Sequence, residues 1–229
     1  MYTKINNIKW NFTDKKVLVV GASRGIGKGV ADAFSSSGAE VFEISSHNCD
    51  ISSKEQIDQY TSNLDRIDIL INVAAINFAK NIEQISIEEW DAVMSVNLRG
   101  IFYITKKIIP KMPSGSKIIN VSSIAGRHRS LVSGIHYVSS KAGLIGFTKQ
   151  LAFELSNKNI NVNVVCPSQT LTDMLQSTTS PEELSQLEKN IPIGRIATVE
   201  EQVAPILFLA SSEASYMTGC ALDINGGQF

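Results

Sequence analysis

The sequence lacks a surplus of either charge. Lys and Arg number 21 against 22 Asp and Glu, a net charge of −1. A nucleic-acid-binding surface carries a basic excess, so that class of partner is not expected. Cysteine is scarce: Cys49, Cys166 and Cys220 stand far apart. They form neither an even disulfide set nor a spaced ligand cluster, and reduced thiols in a cytoplasmic protein are expected. His128 and His136 have no metal-ligand partners at useful spacing, so no metal is assigned. No apolar run approaches the roughly 18 residues needed to cross a bilayer. Met1 to Lys16 has no apolar signal core. Repeats, low-complexity tracts and linker-like stretches are also missing. One soluble domain over residues 1–229 is the expectation.

Short apolar runs alternate with helix-like segments. The runs are Val17–Val20, Val41–Ile44, Ile67–Val73, Lys117–Val121, Ile160–Val165 and Ala221–Ile224. Several are apolar on both faces, as in strands covered on each side. Helical spacing marks Gly27–Ser37, Ile87–Met112, Tyr137–Leu155 and Val199–Ala210. This alternation predicts an α/β fold, a single doubly wound parallel sheet of Rossmann type. Ligands of such sheets bind beyond the carboxyl ends of the strands. One junction departs from the pattern. The second strand ends near Ser45 and Asp50 follows too soon for a crossover helix. A rudimentary third strand with no helix before it, at a thinly covered sheet edge, is expected there.

Gly21-Ala22-Ser23-Arg24-Gly25-Ile26-Gly27 follows the first strand and opens a helix. Glycines permit a tight turn and let backbone N–H groups approach a pyrophosphate, and the helix N-terminus adds partial positive charge. About 20 residues on, where NAD sites usually place a carboxylate, stand Ser45 and Ser46. Hydroxyls can donate to a 2′-phosphate, and Arg24 can pair with it. NADP(H) is favoured, while Glu43 leaves NAD open.

Tyr137 and Lys141 lie four apart at the start of a helix, on one face. A phenol titrates near 10, and a neighbouring ammonium is expected to lower that value and make a usable acid/base. Tyr103 and Lys107 repeat the spacing, but mid-helix beside Lys106, and read as structure. Ser122 and Ser123 end a strand at the sheet's carboxyl edge. Asn97 interrupts an apolar helical stretch, and a buried Asn needs partners.

Together these residues resemble the short-chain dehydrogenase/reductase family, from about Phe12 to Phe229. The resemblance implies a glycine turn at Gly21, Gly25 and Gly27 and an adenine contact at Asp50, followed by Ile51. It implies further cofactor contacts in Asp68–Ala75, with Asn72 and Ala74, and in Pro167–Thr172, with Pro167, Thr170 and Thr172. The implied catalytic tetrad is Asn97, Ser123, Tyr137 and Lys141, with Asn97 holding a water that relays protons to Lys141. Gly126 also fits, as do Ile191–Arg195 and the segment from Thr218 to Gly227. Val20, Ala75 and Ser168 depart from the family pattern, each expected to add bulk beside the cofactor path.

The implied reaction is hydride transfer between a nicotinamide and a carbonyl carbon, with Tyr137 moving the proton. Three readings stand: a carbonyl reductase similar to 3-oxoacyl-carrier-protein reductases, a sugar or polyol dehydrogenase using NAD or NADP, and a dinucleotide sensor without turnover. The substrate is a small carbonyl or alcohol, and Arg127-His128-Arg129 near the pocket mouth reads first as a solvated basic loop and second as a patch that attracts an anionic carrier or a phosphorylated or acidic sugar. Leu171–Arg195 is expected to form a lid. A homotetramer or homodimer through the long helices is expected.

Overall fold

The computed structural model describes residues 9–130, 132–172, 175 and 180–228. Six parallel strands form one sheet in the order β2-β1-β3-β4-β5-β6. They are β1 Lys16–Val20, β2 Glu40–Ile44, β3 Ile69–Asn72, β4 Lys117–Val121, β5 Asn161–Pro167 and β6 Ala221–Ile224. Successive side chains of a strand point to opposite faces. Val17 and Val19 accordingly join one core with Val30 and Phe34 of helix α1 (Gly25–Ser36) and Ile206 of α7 (Val199–Ala210). Leu18 and Val20 join the other, with Ile57 of α2 (Lys54–Ser62), Ile104 of α4 (Ile101–Ile108) and Leu144 of α5 (Ile135–Leu155). Helices on both faces make the sheet doubly wound, as expected. Two further helices are α3 (Ile87–Met94) and α6 (Pro181–Lys189).

The rudimentary third strand does not form. Among the described residues, a turn at 45–48 leads through Cys49 and Asp50 directly to α2, and β2 is left as the edge of the sheet. No helix precedes Asp50, as the short spacing required. Side chains cover the edge instead: the Glu43 carbonyl accepts hydrogen bonds from Asn48 Nδ2 and from the Tyr60 hydroxyl, both at 2.9 Å. Helix α2 is a further element the apolar pattern did not show, because only Ile57 and Thr61 of its nine residues are buried.

The segment expected as one helix over Ile87–Met112 is helical without a gap from Ile87 to Lys111, but its winding changes midway. Between α3 and α4 a π-helical turn spans Ser95–Gly100 and carries Asn97, which is fully buried. Widened turns of this kind occur often at functional sites. The Tyr103–Lys107 pair is structural, as read: the Tyr103 hydroxyl donates to Asp58 at 2.8 Å and Lys107 pairs with the same carboxylate at 2.6 Å. Strand order reverses at β1, whose neighbours are β2 and β3, and this is the switch point at which such sheets open a crevice.

Candidate active site

A cleft of about 460 Å³ lies beyond the carboxyl ends of β1, β3, β4 and β5. Its middle is the glycine turn, with Gly21, Ser23, Arg24, Gly25, Ile26 and Gly27 all on the wall. A Cβ on Gly27 would sit 2.0 Å from the Gly21 carbonyl oxygen, so only glycine lets the turn close this tightly. Helix α1 starts there. Its N-cap residue, Arg24, makes no side-chain capping bond and its first turn holds no acid. The leading N–H groups and their partial positive charge are thus uncompensated by the protein's own side chains.

One end of the cleft is walled by Ser45, Ser46, Cys49, Asp50 and Ile51. Asn48 braces this turn, its Oδ1 accepting from the Ser45 N–H at 2.8 Å. Glu43 is exposed and stands off the wall. The other end is walled by Ser123, Tyr137, Lys141, Pro167, Ser168, Thr170 and Thr172. A smaller cavity adjoins it through Ser123, Tyr137 and Ser168, and is lined further by Arg129, Gln169, Leu187 and Asn190.

At this junction the Lys141 ammonium is buried and donates to the Val121 carbonyl at 2.7 Å, with the Tyr137 ring centroid 5.7 Å away. Burial pulls Lys141 down from 10.5 to about 8. Burial pushes the Tyr137 phenol above 10, opposed by the neighbouring Ser123 hydroxyl. The expectation that the ammonium depresses the phenol is therefore corrected for the protein alone. Ser123 Oγ also accepts from the Ala125 N–H at 3.1 Å, capping a 3-10 turn. Ser122 takes a supporting place, its hydroxyl donating to the Lys141 carbonyl at 2.8 Å.

The chain as a whole is similar to known proteins. A family model for enoyl-(acyl carrier protein) reductases covers residues 43–228. The 3-oxoacyl-[acyl-carrier-protein] reductase FabG of Thermotoga maritima is 37% identical, over 93% of this chain and 97% of that protein. The chain belongs to the short-chain dehydrogenase/reductase family. Dehydrogenase/reductase SDR family member 6 of Aquarana catesbeiana is 34% identical over 93% of this chain and 97% of its own. Among solved structures, the Pseudomonas aeruginosa RhlG/NADP active-site complex superposes with a TM-score of 0.90 at 27% identity, covering 96% of this chain and 98% of that one. The aldohexose dehydrogenase of Thermoplasma acidophilum gives 0.87 at 32% identity and 94% of each chain. This short-chain dehydrogenase/reductase is an oxidoreductase.

Several expectations for its residues change. Asn72 is not on the cleft wall. It lies buried in β3, donating to Asn120 Oδ1 at 2.8 Å and Thr105 Oγ1 at 3.2 Å, because its side chain points to the α4–α5 face of the sheet. Asn97 is also off the wall. Its Oδ1 accepts from the Ile76 N–H at 2.8 Å, and its Nδ2 donates to the Ile76 carbonyl at 2.9 Å and to Ser140 Oγ at 3.1 Å. Both amide hydrogens are thus committed to protein, and the side chain clamps the loop after β3. Of the three departures from the family pattern, Ala75 and Ser168 do line the cleft, but Val20 packs wholly within the core. Arg127 turns away from the mouth, donating to the Ala221 carbonyl at 3.2 Å and pairing with Asp223 at 3.4 Å. Arg129 alone of that basic pair reaches the smaller cavity. The expected lid lies partly outside the described residues; α6 is its described helix, and Leu187 and Asn190 from it and its cap line the smaller cavity.

Cleft-wall residues that sequence reasoning passed over include Ile44, Cys49, Ile76 and Val96. Their apolar character reads as core. Nor could the sequence reveal that a backbone carbonyl, Val121, receives the ammonium. Among the described residues, no group of three His, Cys, Asp or Glu is placed to hold a metal, and no helix is long and apolar enough to cross a membrane.

Proposed function

We propose that the protein interconverts a ketone and a secondary alcohol using NADP(H), with Tyr137 as the general acid/base. The observation that carries this reading is the meeting of Ser123, Tyr137 and Lys141 where the long cleft opens into the smaller cavity. The cleft fits a dinucleotide. Its glycine turn has no room for a Cβ where a pyrophosphate would lie, and the helix N–H groups there are uncapped. In this reading Gly21–Gly27 hold the pyrophosphate, Asp50 and Ile51 the adenine, and Arg24, Ser45 and Ser46 the 2′-phosphate. Ala74, Lys141, Pro167, Thr170 and Thr172 hold the nicotinamide half. A bound nicotinamide supplies or accepts the hydride at its C4.

The chain's own residues supply position and the proton. Tyr137 gives its phenolic proton to the developing alkoxide, and takes it back in oxidation. Ser123, on the cleft wall with that phenol, orients the substrate oxygen beside it. Lys141 is poised to stabilise the phenolate left behind. Asn97 acts by fixing Ile76, and a relay water at the π-helical turn remains part of the proposal.

The relatives support a 3-oxoacyl-carrier-protein reductase as the leading assignment, with Arg129 the basic group nearest the substrate side for an anionic carrier. A specific observation favours the second reading. Arg129, Ser130, Ser133, Gln169, Asn190 and Gln228 stand among the apolar residues of the smaller cavity, and the unpartnered side-chain oxygens of Gln169 and Gln228 suit the hydroxyls of a sugar or polyol. The deciding assay compares NADPH with NADH on 3-oxoacyl thioesters and on sugars and keto-sugars. Turnover of thioesters alone supports the first assignment, and turnover of sugars alone the second. Tight NADPH binding with no turnover of any carbonyl by the wild type would leave a dinucleotide sensor.

We also propose a cytoplasmic homotetramer or homodimer. Its contact face would be the exposed groove of Met94, Leu98, Phe102 and Phe147 between the π-helical turn, α4 and α5. The free thiols of Cys49, Cys166 and Cys220 suit a reducing compartment. Sedimentation equilibrium tests the assembly, and a monomer at micromolar concentration removes it.

A further inference from the structure

Helix α5 begins without the usual cap. Its N-cap is Gly134, which has no side chain to accept an orphan N–H. No capping residue fits there, because a Cβ on Gly134 would lie 2.5 Å from His136 Cε1 and 2.7 Å from the Phe78 carbonyl oxygen. The vacancy is filled from inside the helix. His136 Nδ1 accepts the backbone N–H of Tyr137 at 2.9 Å. Since Nδ1 accepts, the neutral imidazole carries its hydrogen on Nε2. That nitrogen faces Glu89 Oε1 of α3 at 3.8 Å, beyond hydrogen-bond length, and neither buried atom has a hydrogen-bond partner, so each is the other's nearest complement. The second Glu89 oxygen is held by Lys80 at 2.7 Å. His136 itself is fully buried, and Phe78 packs on it with ring centroids 6.2 Å apart.

We propose that His136 is a positioning residue for the acid/base Tyr137, and that Glu89, oriented by Lys80, holds it in the tautomer that does this. The proposal rests on Tyr137 being the proton donor. Carbonyl, phenol and nicotinamide must meet within a few tenths of an ångström, so the register of this one helical turn governs the rate. Glu89 faces the imidazole from α3, and Lys80 reaches that carboxylate from the loop before it.

The arrangement predicts an unusual behaviour for Glu89→Gln. Lys80 demands an oxygen, so the new amide turns its NH₂ toward His136 Nε2. Nε2 must then accept, the hydrogen moves to Nδ1, and the Tyr137 N–H loses its partner. Nitrogen NMR of the folded holoenzyme should show His136 passing from the Nε2–H to the Nδ1–H tautomer. The kcat should fall about 10- to 100-fold, with the NADPH dissociation constant little changed. His136→Asn retains an acceptor oxygen near the place of Nδ1 and should keep kcat within about threefold of wild type. In that background Glu89→Gln should cost nothing further. His136→Phe fills the space without an acceptor and should lose kcat like Glu89→Gln. An unchanged tautomer in Glu89→Gln, or equal losses in the Asn and Phe variants, would overturn the proposal. Tyr137→Phe assayed alongside separates the two claims. If it stays active, the acid/base reading fails, while the tautomer measurement still reports on the contact.

Discussion

The Lys141 ammonium lies 5.7 Å from the centre of the Tyr137 ring, yet its hydrogen bond goes to the Val121 carbonyl at 2.7 Å. The two residues share a helix face, as their spacing requires, without the cation being spent on the phenol. Both are desolvated, so each is driven toward its neutral form: the phenol upward, the ammonium down to about 8. The protein alone thus holds a protonated tyrosine, ready to donate.

The first prediction concerns that proton. In the cofactor-free protein, the Tyr137 phenol should ionise above the ordinary tyrosine value of 10. The difference between wild-type and Tyr137→Phe absorbance titrations isolates it. A step below 10 would contradict the desolvated site. The same substitution should lower ketone reduction by about 10²- to 10⁴-fold while leaving NADPH binding intact.

Lys141 should leave a mark on stability. Its folded value of about 8 lies below the unfolded 10.5. Below pH 8 the group is charged in both states and the burial penalty is fully present. Between 8 and 10.5 the unfolded chain holds a proton the folded chain has released, so this contribution to stability rises with pH. Across that window the unfolding free energy of wild type relative to Lys141→Met should improve by up to about 3 kcal/mol. Urea titrations at intervals from pH 7 to 10.5 measure it, and a flat or falling difference refutes it.

Asn97→Leu removes the clamp on Ile76. Both backbone groups of Ile76 lose their partner, at a cost of about 2–4 kcal/mol. Calorimetry should show the melting temperature reduced by roughly 5–15 °C. Cofactor affinity should drop as well, since Ile76 lines the cleft. A variant with unchanged melting would show that the loop holds itself.

Cofactor choice should reside in Arg24 and the turn after β2. Arg24→Ser and Ser45→Asp should each raise the KM for NADPH about tenfold or more, the loss of one charge-assisted contact, and leave that for NADH nearly unchanged. Equal effects on both cofactors would move the 2′-phosphate elsewhere.

The sheet was legible because its strands are buried on both faces; Ile118 and Ile119 of β4 are each almost completely covered. Helix α2 was not, because it buries too little apolar surface to show a period. The glycine turn and the Tyr137–Lys141 pair were legible because their chemistry lies in residue type and spacing. Asn97 was visible as a polar residue out of place, but its partner is a backbone 21 positions away, which carries no signature of its own. Asn72 shows the opposite failure. Its motif was recognised, but the pleat turns its side chain inward to Asn120. The direction of the tyrosine shift depended on how deeply the folded chain buries the phenol, which residue type and spacing do not carry.

The two bonds to the Glu43 carbonyl have a consequence for the molecule in crowded solution. A sheet margin with free carbonyls invites strands of other chains to dock and templates aggregation. Asn48 and Tyr60 plug the position next to the end of β2, so a foreign strand meets an occupied acceptor there. This side of the sheet is thereby closed by two side chains, and one of them also braces the turn beside the cleft.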